Sequence, residues 1–275
     1  MTTGFAPRRD ILPPAQRLLW PRLRPATGLG FVLYGGTAIA LRLGHRASVD
    51  FDFFSPEPLD RDGIRAALPF IAQATALQDS GNAWTLLTPE GVKIAFFGDI
   101  RLGRVGAPET TDDGVLRVAS LDDLMATKLK GVLQRAEAKD YRDIVAMLQA
   151  GVGLARGLAA ARLLFGPNFQ PSESLKALVY FGDGDLATLS AAERNALGQA
   201  VKGVRDLPSH EEQIREDACA IFALAQTNEL RQKIRPRRVA EVHDDVARTL
   251  SYRDEALPRE ATDRFLAKFG VQRIK

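Results

Sequence analysis

The chain has 275 residues, 45% of them hydrophobic and 26% charged, which is enough for one large domain or two moderate ones with buried cores. The single cysteine, Cys219, excludes an internal disulfide and a cysteine-based zinc site, and the net charge of +3 permits a nucleotide or RNA partner without requiring one. No apolar run approaches the roughly 20 residues of a membrane span, and the first residues lack the apolar core of a signal peptide, so we expect a cytoplasmic protein without a membrane partner.

A strand, a glycine turn and a short helix are predicted early in the chain. Phe31 to Tyr34 form a short apolar run rich in strand-forming residues, and Gly35-Gly36 ends it because residues without Cβ allow backbone angles that others avoid. We expect Thr37 to cap a helix over Ala38 to Leu43, which Gly44 terminates. Free N–H groups at such a helix start, which glycines let a ligand approach closely, favour an anion such as phosphate.

Two carboxylates follow on the next predicted strand. Strand alternation places Asp50 and Asp52 on one face and the apolar Phe51 and Phe53 on the other. Their Cα atoms are then about 6.5 Å apart, so their oxygens can converge on one site. Like charges about 4 Å apart cost on the order of 4 kcal/mol at an effective dielectric constant of 20, unless a cation or a proton intervenes. The pattern therefore favours Mg²⁺ or Mn²⁺, with substrate phosphates completing the coordination.

The order and spacing of these residues resemble a known enzyme family. Gly35-Gly36-Thr37, His45-Arg46-x-Ser48 and Asp50-x-Asp52 are similar to the first motif of the polymerase-β-like nucleotidyltransferases. The phrase LYGGTAIALRLGHRASVDFDFF resembles the AbiEii/AbiGii-type nucleotidyltransferase toxins of bacterial toxin–antitoxin systems. The resemblance implies that the metal is held by Asp50 and Asp52. It also implies that a nucleoside triphosphate is bound by Gly35, Gly36, Thr37, Arg46 and Ser48.

A hairpin is predicted over residues 84 to 97, beside the Asp50 strand, because two strand-like runs flank the turn signal Pro89-Glu90-Gly91. Polymerase-β-like enzymes generally carry a third carboxylate on such a strand, but we expect it to be missing here. The reason is that strand alternation predicts Lys93, Ala95 and Phe97 at the inward positions. Asp99 lies just beyond them and would serve only if the end of the strand bent back.

A long amphipathic helix is predicted to start after its N-cap, Ser120, and to run through Leu148. At about 100° per residue, its apolar face also carries four charged residues, Lys128, Arg135, Lys139 and Asp143. Lys130 points to the opposite side, and Asp140 lies about 100° from the centre of that face. Charges in an apolar stripe cost desolvation energy unless they are paired or line a cleft, so these four residues require partners.

Two interpretations of the four charged residues stay open. One is an internal set of ion pairs, in which Asp143 pairs with Lys139 or Arg135. The other follows from the resemblance, since the spacing of Lys128, Arg135, Lys139-Asp140 and Asp143 is similar to the downstream motifs of the family. It implies that Lys128 and Arg135 neutralise phosphoryl oxygens and that Lys139 helps to bind the nucleotide. Asp143 would then orient Lys128 or assist the acceptor hydroxyl.

Beyond residue 150 the sequence predicts helices only, over residues 175–181, 191–204 and 211–225. Asp183 and Asp185 are interpreted as turn and cap residues rather than as metal ligands. A basic run from Arg231 to Arg238 is interpreted either as a solvated face or as a contact to RNA.

The expected fold class is α/β. Residues 1–118 are predicted to form a small mixed sheet of the polymerase-β-like nucleotidyltransferase type. A helical domain over residues 119–226 would complete the cleft, and residues 227–275 would form a charged helical extension.

The resemblance, which covers roughly residues 12 to 225, implies a metal-dependent transfer of a nucleotidyl group from a nucleoside triphosphate to a hydroxyl acceptor. The residues expected to act in catalysis are Asp50, Asp52, Lys128 and Asp143. The resemblance also implies a toxin with a transfer RNA end as acceptor and with a cognate antitoxin. Two alternatives stay open. One is transfer to a small molecule or a protein side chain; the other is an inactive protein that binds nucleotide or a partner, which Ala95 in place of a third carboxylate suggests.

Overall fold

A seven-stranded mixed sheet lies at the centre of this computed structural model, which describes residues 4–100 and 103–205. The strands are β1 (Val32–Tyr34), β2 (Asp50–Phe54), β3 (Thr75–Ser80), β4 (Ala83–Leu87), β5 (Lys93–Phe97), β6 (Glu109–Thr110) and β7 (Arg117–Val118). They lie in the order β3-β4-β5-β2-β1-β7-β6. Strand β2 is antiparallel to β1 and parallel to β5, whereas β7 is parallel to β1. The predicted mixed α/β class is confirmed.

The helices of the described residues lie before, between and after the strands in the chain. They are α1 (Pro14–Leu19), α2 (Arg24–Gly28), α3 (Gly35–Leu43), α4 (Arg61–Ala67), α5 (Leu121–Gly131), α6 (Ala138–Gln149), α7 (Leu154–Phe165), α8 (Pro171–Ala177) and α9 (Ala191–Gly203). Helix α5 packs against α3, α6 and α7, which joins the helical part to the sheet part. In the part of the chain that the structure describes, no helix has both the length and the apolar composition needed to cross a bilayer.

The alternation predicted for β2 is confirmed by its burial. Phe51 and Phe53 are buried in the core, and Phe53 stacks on Phe96 of β5 with ring centroids 5.4 Å apart. Asp50 and Asp52 point to the other face, where they are partly exposed. The apolar side chains therefore fix β2 in the sheet and leave the two carboxylates on one accessible face.

The predicted hairpin is also confirmed. Strands β4 and β5 are antiparallel neighbours, and Gly91 in the turn between them has a φ of 79°, a left-handed value that favours glycine. Strand β5 lies directly beside β2, with Asp52 opposite Ala95. The sheet therefore places an alanine, and no carboxylate, next to Asp52.

The single helix predicted from Ser120 to Leu148 is wrong, because the chain forms two helices with a turn between them. Ser120 is the expected N-cap of α5 and accepts a hydrogen bond from the N–H of Asp123 at 3.1 Å, but α5 ends at Gly131. Helix α6 begins at Ala138, whose N–H donates to Oδ1 of Asp185 at 2.6 Å. Asp185 thus caps a helix, as predicted. The turn changes which side chains of α6 face α5.

The predicted boundaries of the domains stay predictions. All described residues belong to one compact unit, Met1–Gln213, and β7 at Val118 is the last described strand before the helices. The predicted helix over residues 211–225, the basic run from Arg231 to Arg238 and the extension over residues 227–275 lie outside the described residues.

Candidate active site

The candidate site starts at the glycine turn, Gly35-Gly36, where β1 passes directly into the first turn of α3. Gly35 has a φ of 75°, and a Cβ at this position would collide with Oδ2 of Asp52. A Cβ at Gly36 would meet the guanidinium of Arg46 and lie 3.1 Å from Oγ of Ser48. The first N–H groups of α3 have no partner within the helix. The two glycines thus let a carboxylate and a guanidinium approach a helix start that is suited to an anion.

Thr37 does not cap α3, so that prediction is wrong. The helix already starts at Gly35, and Thr37 is a buried residue inside its first turn. Its hydroxyl donates a hydrogen bond to the main-chain oxygen of Asp50, which fixes the start of β2 against α3. Gly44 terminates the helix as predicted, with a φ of 66° and an N–H that donates to the oxygen of Ala40 at 2.7 Å. Of Thr37, only the main-chain N–H is left for an anion.

The two carboxylates of β2 have different surroundings. Asp50 lies opposite Lys93 of β5, and Nζ of Lys93 is 2.9 Å from Oδ2 of Asp50. Asp52 lies between Tyr34 and Ala95. Burial and the charge of Asp50 raise the pKa of the Asp52 carboxyl, although the charges of three cations, Lys93, Lys128 and Arg135, act in the opposite direction. A carboxylate with a raised pKa beside a second carboxylate favours a bound cation.

Strand β5 carries no third carboxylate, and Ala95 lies opposite Asp52 as the strand alternation predicted. Asp99, the alternative, follows the strand with a φ of 54°, and its Oδ2 accepts a hydrogen bond from the amide of Asn82 at 3.4 Å. Within residues 4–100 and 103–205, no three Asp, Glu, His or Cys side chains are grouped so that they could hold a metal. The two carboxylates of β2 fit Mg²⁺, because this ion often takes one or two carboxylates and completes its coordination with phosphates and water.

Behind the carboxylates, Asp143 of α6 is fully buried among three basic side chains. It lies 2.7 Å from Nε2 of His45, 2.6 Å from Nε and 2.8 Å from Nη2 of Arg46, and 2.7 Å from Nζ of Lys128. Burial alone would raise the pKa of this carboxyl, but the hydrogen bonds from His45 and Arg46 and the charge of Lys128 lower it well below its usual range. Asp143 is therefore a permanent anion that holds three side chains in place.

Lys128 also binds a carboxylate that the sequence did not predict, Asp140. Its Nζ is 2.5 Å from Oδ1 of the buried Asp140, which also accepts a hydrogen bond from Nε of Arg135 at 2.8 Å. Asp140 and Asp143 are three residues apart on α6, so they face α5 together. The spacing of Asp140 and Asp143 indicates that they share a face of the helix. If α5 and α6 were one continuous helix, Asp140 would point away from Lys128, so the contact was not predicted.

The predicted pairing of Asp143 with Lys139 or Arg135 is wrong. Arg135 binds Asp140, and Nζ of Lys139 lies 2.7 Å from Oε2 of Glu137. The helix break is the reason, because it places Arg135 in the turn before α6 and Lys139 in the first turn of α6, where its half-exposed side chain pairs with the neighbouring Glu137.

The structure brings some of the predicted nucleotide-binding residues to the carboxylates and commits others to internal contacts. Lys128 and Arg135 lie close enough to Asp52 for their charges to lower the pKa of its carboxyl, and half of the Arg135 side chain is exposed. Arg46 uses Nε and Nη2 on Asp143 and Nη1 on the main-chain oxygen of Ala47. Ser48 is buried beside Gly36. Among the described residues whose charges act on Asp52, Lys93 and Arg135 have exposed side chains, whereas Lys128 is buried and its ammonium is held by Asp140 and Asp143.

The family model for the AbiEii nucleotidyltransferase toxins of type IV toxin–antitoxin systems matches residues 17–216. An uncharacterized protein from Aquifex aeolicus (strain VF5) is 32% identical over 155 residues, which are 56% of this chain and 74% of that protein. Among solved structures, the nucleotidyltransferase toxin MenT4 from Mycobacterium tuberculosis H37Rv matches with a TM-score of 0.52 and 17% identity, over 76% of this chain and 92% of that one. The MenT4 match shows the same fold. Since the family model covers well over half of the sequence, this chain belongs to the AbiEii family of nucleotidyltransferase toxins.

Proposed function

We propose that this protein transfers a nucleotidyl group from a nucleoside triphosphate to a hydroxyl group at the end of an RNA, with transfer RNA as the acceptor. The observation that carries the proposal is the position of Asp50 and Asp52 beside the glycine turn and within the electrostatic range of Lys128 and Arg135. Such an arrangement offers oxygen ligands for a metal and positive charge for phosphates in one place. The reaction class is that of the family to which the chain belongs.

In this proposal the metal is Mg²⁺ or Mn²⁺, and Asp50 and Asp52 would hold it together with the substrate phosphates. The chemistry that a divalent ion supplies there is neutralisation of charge on the reacting phosphate oxygens. The space that Gly35 leaves beside Asp52 supports this assignment, because a larger residue would push the carboxylate away. The main-chain N–H groups at the start of α3, from Gly35 to Thr37, bind the triphosphate.

Lys128 and Arg135 stabilise the negative charge that develops on the phosphoryl oxygens. Lys128 is held by two buried carboxylates, so its ammonium has a fixed position before the substrate arrives. A charged donor that is already in position contributes more to catalysis than a mobile one, because it does not have to reorganise during the reaction. Arg135, half exposed and bound to Asp140, has room to contact a phosphate at the site entrance.

Asp143 acts on the reaction through the residues that it positions. Its pKa is lowered and its oxygens accept hydrogen bonds from His45 and Arg46, so it is a poor base for an acceptor hydroxyl. Of the two roles predicted for it, the contacts support the orientation of Lys128. Arg46 fills the space beside Gly36 and is another side chain that Asp143 holds in place.

In the proposed reaction, the acceptor hydroxyl oxygen forms a bond to the α-phosphorus, and the bond from that phosphorus to the bridging oxygen of the β-phosphate breaks. Pyrophosphate leaves with the electron pair, and the hydroxyl proton passes to water. Like other members of a toxin–antitoxin family, the protein is proposed to have a cognate antitoxin that limits this activity in the cell.

The proposal is tested by incubating the purified chain with each α-³²P-labelled nucleoside triphosphate, Mg²⁺ and total cellular RNA from a bacterium, and resolving the products on a gel. We expect label in RNA of transfer RNA size with one or more of the nucleotides, and no label after chelation of the metal. Asp50→Asn should abolish labelling. Asp62→Asn, which changes an aspartate that is 95% exposed on α4, should label normally.

Other outcomes have defined meanings. Label in protein or in small molecules, and none in RNA, would support transfer to another acceptor. Nucleotide binding without transfer to any acceptor would support an inactive member of the fold. Labelling that persists in Asp50→Asn would exclude the carboxylate pair as the centre of the reaction.

A further inference from the structure

A lysine forms an ion pair with one of the two carboxylates that the proposed function assigns to the metal. Lys93 of β5 is the direct neighbour of Asp50 in the parallel pairing with β2, and its Nζ lies 2.9 Å from Oδ2 of Asp50. Both side chains are reachable from solvent, with 40% of Lys93 and 31% of Asp50 exposed. The contact therefore lies at the edge of the site and not in the core.

Within the described residues, Asp52 forms no ion pair of this kind. Its neighbour on β5 is Ala95, and the cations Lys93, Lys128 and Arg135 act on it only through their charges. Asp50 therefore already has a direct counter-ion, whereas Asp52 has none. A free divalent ion that binds both must first displace the Lys93 ammonium from Asp50.

We propose that Lys93 is a resident counter-ion of Asp50 that disfavours binding of a free divalent metal and favours a metal that arrives already bound to a triphosphate. The proposal rests on the proposed function, since it concerns how that site takes up its nucleotide. A metal–triphosphate complex carries a net negative charge, so it provides phosphate oxygens for the displaced ammonium. A free metal ion provides none. Lys93 is therefore a positioning residue that makes the site specific for the complex.

The flexibility and exposure of the side chain allow this exchange. Lysine carries its charge on a flexible four-carbon stem with rotatable donors, so the ammonium can move from one oxygen acceptor to another without a change in the backbone. The backbone itself is fixed, because β5 is paired with β2 on one side and with β4 on the other. Only the ammonium has to move when the nucleotide arrives.

The test measures binding of Mn²⁺ to the purified full chain by electron paramagnetic resonance of the free ion, first without nucleotide. Lys93→Met should bind free Mn²⁺ about two- to fivefold more tightly than the unchanged protein, since a partly exposed ion pair has to be broken only in the latter. Lys93→Arg, which keeps the charge, should bind as weakly as the unchanged protein. Lys176→Met is the matched control, because Nζ of Lys176 also lies 2.9 Å from a single exposed carboxylate, Glu173, on the distant α8.

The same titration is then repeated with non-hydrolysable analogues of ATP, GTP, CTP and UTP. For the analogue that binds, we expect the higher Mn²⁺ affinity of Lys93→Met to disappear or to reverse, because the methionine side chain cannot contact the phosphates. An affinity for free Mn²⁺ that is unchanged or lower in Lys93→Met would overturn the inference, including the case in which neither protein binds the free ion. If Mn²⁺ with every analogue fails to bind the unchanged protein at Asp50 and Asp52, the proposed function fails instead. Thermal melts of each variant show whether it is folded.

Discussion

Lys128 and Asp143 lie on different helices, α5 and α6, yet Nζ of Lys128 is 2.7 Å from Oδ2 of Asp143 and both side chains are buried. One residue can therefore have both roles that the sequence left open for Lys128: it pairs with Asp143, and its charge can act on phosphates. The ion pairs fix the ammonium, and its charge still acts on Asp52 at the candidate site. A change at Lys128 should affect stability and activity together.

Lys128→Met should lower the free energy of unfolding by about 3 to 5 kcal/mol, because it removes a buried cation from Asp140 and Asp143. It should also lower turnover by about 10²-fold or more, as for the loss of one positioned donor. Lys130→Met is the control on the same helix, since Nζ of Lys130 binds a main-chain oxygen at the surface and its loss should cost less than about 1 kcal/mol. Urea unfolding measures the stability, and the RNA-labelling assay measures the turnover. Unchanged stability of Lys128→Met would contradict the structural role of Lys128, and unchanged turnover would contradict its catalytic role.

Arg135→Ala should leave stability within about 1 kcal/mol, because the side chain is half exposed and Asp140 keeps its bond to Lys128. If Arg135 contacts a phosphate, KM for the nucleotide should rise roughly tenfold, the value of one charge-assisted hydrogen bond. Arg156→Ala is a matched control, because Arg156 is equally exposed and binds Asp122 near the start of α5 through two nitrogens. A similar rise in KM for both variants would point to a general effect of charge and not to a contact of Arg135.

Features that depend on near neighbours in the chain could be predicted from the sequence. The glycine turn after Tyr34, the alternation of Asp50 and Phe51, and the hairpin around Gly91 depend on backbone preferences over a few residues. The structure confirms the alternation and the hairpin. Strand β1 ends before Gly35 as predicted, but the two glycines form the start of α3 and not a separate turn before it. These local features are sufficient to place two carboxylates beside a helix start, which is the centre of the candidate site.

Features that depend on distant residues could not be predicted in this way. The break between α5 and α6 is stabilised by Asp185, which caps α6 from 47 residues further along the chain. Without that cap, the apolar pattern favours one continuous helix, and Asp140 then turns away from Lys128. The ion pair between Lys93 and Asp50 likewise depends on the parallel pairing of β5 with β2, for which the sequence predicts the neighbours but not the contact.

Asp52→Asn should stabilise the protein at pH 7 in the absence of metal. Burial and the charge of Asp50 raise the pKa of the Asp52 carboxyl in the folded state, so its contribution to stability is present below the unfolded pKa of about 3.9 and is lost as the pH rises through the folded pKa. The gain from Asp52→Asn should therefore shrink as the pH falls towards about 4.

Asp50→Asn is the comparison for this experiment. It removes the same repulsion but also the partner of Lys93, so its stability at pH 7 should stay close to that of the unchanged protein. Urea unfolding curves in the presence of a chelator, recorded across this pH range, measure both variants. A gain for Asp52→Asn that does not depend on pH would show that ionisation of Asp52 is not the cause.

Gly35→Ala should damage the site in addition to straining the backbone. Gly35 has a φ of 75°, where an alanine costs about 1 to 2 kcal/mol, and the added Cβ would overlap Oδ2 of Asp52. Gly151→Ala is the matched control, because Gly151 has a φ of 89° after α6 and no described atom within 4 Å of an added Cβ. Both variants should lose similar stability from the strained φ. Only Gly35→Ala should also lose Mn²⁺–nucleotide binding and RNA labelling, because it displaces the carboxylate. Normal binding in Gly35→Ala would show that the position of Asp52 next to the glycine turn is not required for the site.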